Sequence, residues 1–239
     1  MPRSCGRPDP PARLGGDCPA RARRRTGLHR PVRDTPHHPG TPVTEARTIS
    51  DTTGPLIWLR GDKAGLGPLR EDLADLYWQW EQDPGVLVGY GRQTPDSLPN
   101  RRDGLGHQLR GTDHQLRFTV YDLTSGEPVP AGTTGVLIDH RTRVGEFVIQ
   151  LAPEHRGHGI GTEATHLTLD YAFHITALHC VHLSVLAPNH GAIRAYERAG
   201  FRKIGERRQS GLWLGRRVND ILMDAVPEDF PGESRIPAP

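Results

Sequence analysis

The segment Gly145–Tyr171, GEFVIQLAPEHRGHGIGTEATHLTLDY, contains three local patterns in succession. It begins with a mostly apolar run, which Pro153 interrupts, and it continues through a turn that holds Gly157, Gly159 and Gly161. After the turn, apolar residues recur at helical spacing. Glycine has no Cβ to keep a ligand from the backbone, and the free N–H groups at the start of a helix attract negative charge. The segment therefore predicts a strand, an anion-binding turn and a helix.

Two common phosphate-binding loops do not fit this turn. The dinucleotide fingerprint requires glycine at its first, third and sixth positions, but the sixth position counted from Gly157 is Thr162. The P-loop ends in Gly-Lys-Ser/Thr, and no lysine lies in the segment. The pattern that remains is Arg156-x-x-Gly159-x-Gly161.

Hydrophobic periodicity predicts regular structure on both sides of this segment. Six further strands are predicted at residues 56–60, 115–123, 133–139, 180–186, 201–206 and 218–225. Helices are predicted at residues 68–82, near 97–109, at 160–176 and at 190–199. The run Asp83-Pro84-Gly85 is expected to end the first helix. A strand, helix and strand unit among meander strands is typical of an α+β fold with a mixed, mostly antiparallel sheet.

A second motif begins 28 residues after the last glycine of the turn and runs Asn189-x-x-Ala192-x-x-x-Tyr196-x-x-x-Gly200-Phe201. It lies on the helix that follows the next predicted strand. Together the two motifs resemble the signatures of the GNAT superfamily of N-acetyltransferases. The opening segment is similar to those of spermidine and ribosomal-protein alanine N-acetyltransferases. The resemblance covers roughly residues 56–230 and implies a GNAT-like sheet of about seven strands flanked by about four helices.

The resemblance also implies that acetyl-CoA is the co-substrate. The glycine turn would bind its pyrophosphate, mainly through backbone N–H groups. The strands at residues 145–151 and 180–186 would splay apart and admit the pantetheine arm, and Asn189 would contact the cofactor or the amine besides capping its helix. The implied cofactor-binding residues are Ile149, Gln150, Leu151, Arg156, Gly157, His158, Gly159, Ile160, Gly161, Thr162, Asn189, Ala192 and Tyr196.

The chemistry of amine acetylation selects two candidate catalytic residues. Attack on a thioester requires a deprotonated amine, a stabilised oxyanion and a proton for the departing thiolate. Glu146 shares one strand face with Val148 and Gln150 and is the candidate base, although it could equally be a surface carboxylate paired with an arginine. Tyr196 is the candidate acid. Outside its motif, a tyrosine on an amphipathic helix would be interpreted as a core residue.

The acceptor side has weaker signals. Trp78, Tyr90, Glu146 and Asp220 are candidate substrate-binding residues. The acceptor would be the primary amine of a small molecule, such as a polyamine or another metabolite, and a protein N-terminus is the alternative. A non-catalytic acyl-CoA-binding module is a further alternative. Cys180 lies in an apolar run that predicts burial, so direct attack on the thioester is favoured over a covalent route.

The sequence predicts no metal site. His155 and His158 are three residues apart, as are His179 and His182, but no cysteine or carboxylate completes a plausible ligand set at either pair. The chain has three cysteines in 239 residues, too few and too scattered for a disulfide framework, which favours a cytoplasmic location.

The first 50 residues differ in composition from the rest. Up to Pro42 the chain has nine arginines, nine prolines and three aspartates, so the remainder is net negative although the whole chain is +2. We predict a disordered Arg/Pro-rich tail at residues 1–50, an acetyltransferase domain at 51–230 and a loose C-terminal tail at 231–239. The negative folded part gives no support to a nucleic-acid partner, and no apolar run is long enough for a membrane span.

Two further expectations concern the ends and the assembly of the chain. The chain has only two lysines against 28 arginines, which suggests a GC-rich genome in which a valine codon can initiate translation. We therefore expect Val43 to be the native start, so that the preceding tail would be an artefact of start-site choice. A homodimer is common among similar proteins and is a possible assembly here.

Overall fold

The computed structural model describes residues 54–236 of the chain. The predicted tail at residues 1–50 and the expected start at Val43 lie outside the described residues. Within residues 54–236, no helix is both long enough and apolar enough to cross a membrane.

One eight-stranded sheet forms the centre of the fold. Its strands are β1 (Leu59–Arg60), β2 (Ala64–Pro68), β3 (Gln115–Asp122), β4 (Val129–Asp139), β5 (Val144–Leu151), β6 (Cys180–Leu186), β7 (Arg202–Trp213) and β8 (Arg216–Ala225). They lie in the order β1-β2-β3-β4-β5-β6-β8-β7. The pair β5 and β6 runs parallel, and the other neighbouring pairs are antiparallel. The predicted mixed, mostly antiparallel α+β sheet is confirmed, with one strand more than expected.

In the described range, five α-helices cover both faces of the sheet. They are α1 (Ala74–Gln82), α2 (Pro84–Gly89), α3 (Leu98–Leu109), α4 (Ile160–His174) and α5 (His190–Ala199). In β3, Phe118 packs edge-on against Tyr171 of α4 with ring centroids 5.1 Å apart. The next residue, Thr119, shares a hydrogen bond of 2.5 Å with the Tyr77 hydroxyl of α1. Because successive strand residues point to opposite faces, α4 and α1 lie on opposite sides of the sheet.

Two elements differ from the predictions near the start of the domain. The predicted helix at residues 68–82 starts later, because residues up to Pro68 form β2; a 3-10 turn at Glu71–Leu73 leads into α1 at Ala74. The sequence of β2, AGLGP, has a weak strand pattern. Glycine is nevertheless required at position 67, because a Cβ there would lie 2.2 Å from the Leu56 carbonyl oxygen. Asp83-Pro84-Gly85 does end α1, but it also begins α2, since the Asp83 side chain accepts a hydrogen bond from Val86 N–H.

Two residues after Pro231 make hydrogen bonds to the domain. Asp170 of α4 is fully buried. Its carboxylate accepts hydrogen bonds from the Ser234 hydroxyl at 2.6 Å and from the Arg235 N–H at 2.7 Å. Nδ1 of His174, one turn further along α4, lies 2.7 Å from the same carboxylate. A buried carboxylate is costly without partners, so the terminal segment and His174 together satisfy Asp170.

Candidate active site

A cleft opens where β5 and β6 separate. The two strands pair only at their first residues, with Val144 opposite Cys180 and Glu146 opposite His182 as the outermost pairs. Beyond Glu146, the backbone of β5 lines a cleft of about 990 Å³ instead of pairing with β6. The expected splay between these two strands is therefore present.

The exposed edge of β5 carries the backbone groups expected to meet a ligand. The carbonyl of Ile149 accepts a hydrogen bond from the Tyr90 hydroxyl. The carbonyl of Leu151 accepts from Nε and Nη2 of Arg156, at 3.1 and 2.9 Å. The N–H and C=O groups of one strand residue point to the same edge. The N–H groups of Ile149 and Leu151 therefore face the cleft, and a ligand that bound these carbonyls would displace Tyr90 and Arg156.

The glycine turn lies at one end of this edge and leads into α4. Gly157 and Gly159 have φ angles of 83° and 90°, in the left-handed region that other residues rarely adopt. Gly159 is the N-cap of α4, and within residues 54–236 no side chain hydrogen-bonds the first N–H groups of the helix. The predicted strand, turn and helix are thus confirmed, and the turn leaves helix N–H groups available for an anion.

Glu163, in the first turn of α4, ties the turn between β1 and β2 to the glycine turn. Its carboxylate accepts hydrogen bonds from the N–H groups of Asp62, Lys63 and Ala64, at 2.9, 2.6 and 2.5 Å. These contacts bring the Lys63 ammonium to 3.4 Å from the carbonyl oxygen of His158. Neither Glu163 nor Lys63 was predicted as a site residue, because the two lie about 100 positions apart in the chain. One sequence feature could have identified Glu163. A carboxylate beside an expected anion site is unfavourable unless that carboxylate is bound by another group.

Replacing Glu163 with glutamine should lower the stability of the domain. The amide retains one acceptor oxygen but loses the charge that strengthens the bonds to the turn at residues 62–64. Hydrogen bonds to a charged group contribute about 1.5–3 kcal/mol, so Tm should fall by roughly 4 °C. Thermal unfolding measures the change. Glu154→Gln is the matched control, because Glu154 is exposed; equal Tm values for the two variants would contradict the role of Glu163.

The second motif lines the opposite side of the cleft. Asn189 caps α5, accepting a hydrogen bond of 3.3 Å from Ala192 N–H, as predicted. Tyr196 lines the cleft, and its ring packs edge-on against Phe147 with centroids 5.9 Å apart. Burial raises the pKa of Tyr196 to about 12. The raised pKa keeps the phenol protonated at neutral pH, and within the described part of the chain no group hydrogen-bonds the hydroxyl, so its proton is available to donate.

The two carboxylates of the cleft differ in their pairing. Glu146 is exposed, lines the cleft and has no ion pair with any described residue. Asp220 also lines the cleft, but it is only 8% exposed and lies 3.2 Å from the guanidinium of Arg207. Glu146 is thus the carboxylate that can meet a cation or accept a proton, because the charge of Asp220 is already compensated.

The remaining predicted site residues divide between cleft and scaffold. Tyr90 lines the cleft and is 43% exposed, but its hydroxyl lies against β5, where desolvation and then the nearby Tyr196 phenol raise its pKa above the ordinary value. Trp78 is not part of the cleft lining, and its indole N–H donates to the Asp96 carbonyl at 2.8 Å. Ile160 is fully buried in the core. Further predicted residues in the cleft lining are Ile149, Gln150, Leu151, Arg156, Gly157, Gly159, Gly161, Thr162, Asn189 and Ala192.

The chain is similar to known acetyltransferases. It matches the family described as acetyltransferase (GNAT) domain over residues 65–202. A probable N-acetyltransferase of Bacillus subtilis is 43% identical over 72 residues, which cover 28% of this chain and 40% of the relative. The spermidine N(1)-acetyltransferase of Escherichia coli K12 is 33% identical over 102 residues, which cover 43% and 55%. The chain thus spans about half the length of the curated relatives it matches.

Solved structures share the fold. The spermidine N-acetyltransferase of Vibrio cholerae in complex with CoA and spermine superposes with a TM-score of 0.64 at 23% identity, over 71% of this chain and 98% of that chain. A GNAT-family acetyltransferase from Bacillus anthracis gives 0.61 at 14% identity, over 71% and 98%. The family match extends over more than half of this chain. The chain therefore belongs to the GNAT acetyltransferase family.

Proposed function

We propose that this protein transfers an acetyl group from acetyl-CoA to the primary amine of a small molecule by direct attack. The observation that carries the proposal is the cleft at the β5 and β6 splay, which brings the free edge of β5, the glycine turn and Tyr196 together. The free edge of β5 would stabilise the oxyanion, Tyr196 would protonate the thiolate and the glycine turn would hold the cofactor, while Glu146 in the same lining would deprotonate the amine.

The cleft suits acyl-CoA in charge and in backbone geometry. Its glycine turn presents uncapped helix N–H groups, which would bind the pyrophosphate. Arg156, Arg194 and Arg198 line the same cleft and would add positive charge around the phosphates. Arg194 and Arg198 of α5 were not among the site residues predicted from the sequence. When bound, acetyl-CoA would supply the thioester carbonyl that the amine attacks.

Each step of the reaction has a candidate group in the cleft. Glu146 would accept the ammonium proton of the acceptor, directly or through water. The N–H groups of Ile149 and Leu151 face the cleft and would stabilise the oxyanion. Tyr196 would donate a proton to the departing thiolate, and its raised pKa keeps the phenol protonated at neutral pH.

Cys180 supports the direct route over a covalent one. It pairs with Val144 at the closed end of the β5 and β6 pair, away from the splay. Burial raises the pKa of the Cys180 thiol, and the nearby Asp224 carboxylate raises it further. Since a thiolate is the nucleophilic form, both effects disfavour an acetylated cysteine intermediate.

The acceptor is proposed to be a small-molecule amine. Relatives of this chain include proteins named spermidine N(1)-acetyltransferases, which supports that class. Because Asp220 is already paired with Arg207, the cleft offers one uncompensated carboxylate, Glu146, for an ammonium group. A monoamine metabolite fits this charge as well as a polyamine does. We also propose that the protein is located in the cytoplasm.

A thiol-release assay tests the proposed function. The purified full chain is incubated with acetyl-CoA and, separately, with a polyamine, a monoamine metabolite or an N-terminal peptide. We expect thiol release above the acceptor-free rate with a polyamine or a monoamine. Release only with the peptide would transfer the proposal to a protein N-terminus. Acetyl-CoA binding without release by any acceptor would contradict it in favour of a non-catalytic module.

A further inference from the structure

Three potential metal ligands meet at one end of the β3 and β4 pair, outside the cleft. Asp113 and His114 directly precede β3, and His140 directly follows β4. One ligand atom from each side chain lies within 4.8 Å of the other two. Nε2 of His114 is 3.8 Å from one carboxylate oxygen of Asp113, and Nε2 of His140 is 3.9 Å from the other.

The backbone under these side chains is held by strand pairing. The Ile138 N–H donates to the His114 carbonyl at 2.8 Å, which extends the β3 and β4 ladder to the site. After β4, the carboxylate of Asp139 accepts from the Arg141 N–H at 2.9 Å and closes the turn around His140. The two imidazole rings lie edge to face with centroids 4.9 Å apart. The three ligands are therefore brought together by neighbouring strands rather than by one flexible loop.

We propose that Asp113, His114 and His140 form a binding site for a first-row divalent transition metal, with zinc as the representative ion. Imidazole and carboxylate are ordinary zinc ligands, and three of them leave a fourth tetrahedral position for water. Ligand atoms around zinc lie about 3.4 Å apart for bonds of about 2.1 Å. The observed 3.8 and 3.9 Å run to different carboxylate oxygens of Asp113, and one ligand atom from each residue lies within 4.8 Å of the others. Binding through a single carboxylate oxygen would therefore require side-chain movements of roughly an ångström.

The exposure of the three side chains allows both access and this adjustment. Asp113 and His114 side chains are 81% and 70% exposed, and that of His140 is 31% exposed. Nε2 of His140 also hydrogen-bonds the Asp113 carbonyl, so a metal that bound through this nitrogen would replace that bond. Two imidazole ligands favour zinc over the hard cations Mg²⁺ and Ca²⁺, which prefer oxygen ligands.

The position of the site predicts a structural effect rather than a catalytic one. His140 lies in the turn that joins β4 to β5. Asp139 and Val144, on either side of this turn, pair with each other at the start of β5. The glycine turn follows β5 at its other end, and eight strand residues span on the order of 25 Å. A bound metal would join the segment that leaves α3 to the turn that follows β4, and would stabilise the folded state by mass action.

Zinc titration of the full chain, without a polyhistidine tag and after treatment with a chelator, tests the site. We expect His114→Ala and His140→Ala each to lose one zinc equivalent per chain in calorimetry, and Mg²⁺ to give no signal. His107→Ala is the matched control, since His107 is exposed at the end of α3 but is not part of the cluster. The chain has 13 histidines, and others could bind zinc weakly. The test is therefore the difference in zinc stoichiometry between the cluster variants and His107→Ala.

Thermal unfolding gives a second measurement. At zinc about 100-fold above its Kd, Tm of the wild type and of His107→Ala should rise by roughly 5 °C, and the two cluster variants should lose this rise. Without zinc, both variants should still unfold in one cooperative transition, which shows that they fold, and His140→Ala should unfold at a somewhat lower Tm because it loses the hydrogen bond to the Asp113 carbonyl. If His114→Ala and His140→Ala bind zinc with the stoichiometry and affinity of the wild type, the proposed site is wrong.

Discussion

Replacing Tyr196 with phenylalanine is expected to lower kcat about 100-fold, while the affinity for acetyl-CoA changes little. The substitution removes the hydroxyl that would protonate the departing thiolate and retains the ring that packs against Phe147 and Phe201. Because the general acid acts only as the bond breaks, the loss belongs in kcat rather than in binding. Steady-state kinetics and acetyl-CoA titration measure the two quantities separately.

Tyr171→Phe is the matched control for this experiment. Tyr171 belongs to α4 and packs against Phe118, outside the cleft lining. The pH profile adds a second test, since a pKa of about 12 for Tyr196 keeps the phenol protonated through neutral and moderately alkaline pH. Wild-type activity should therefore show no loss from this group below about pH 10. Unchanged turnover in Tyr196→Phe would show that the hydroxyl is not the proton donor.

Replacing Glu146 with glutamine should lower kcat/KM at neutral pH by about 100-fold. Glu146 is the uncompensated carboxylate of the cleft, and its amide analogue cannot accept the ammonium proton. An alkylamine with a pKa near 10 becomes deprotonated in solution as pH rises. Activity of the variant should therefore recover towards alkaline pH more steeply than that of the wild type, and a pH series of kcat/KM measures this.

A control separates the two roles that Glu146 could have. Glu197→Gln removes an exposed carboxylate from α5, outside the cleft lining, and should leave kcat/KM unchanged. If Glu146 only attracts a cationic acceptor, its replacement should raise KM and spare kcat. If Glu146→Gln behaves like Glu197→Gln at every pH, Glu146 is a surface carboxylate without a part in the reaction.

Most of the fold and the centre of the candidate site could be predicted from local sequence patterns. The glycine turn, the N-cap at Asn189 and the C-terminal glycine of α5 each depend on residues close in sequence, so they were predictable. By contrast, β2 was missed because Ala64–Pro68 has no strand propensity of its own. Its backbone becomes a strand through pairing with β3, which lies about 50 residues later in the chain.

The sequence by itself determined the order of elements, the glycine turn before α4 and the residue types available for amine acetylation. Only the tertiary structure decided which of those residues are free to act. Asp220 is neutralised by Arg207 across the β7 and β8 pair, and Glu163 is taken up by the turn that follows β1. The cluster of Asp113, His114 and His140 likewise exists only because β3 and β4 pair. The physical reason is that charge pairing and ligand geometry act over a few ångströms in space, whatever the separation along the chain.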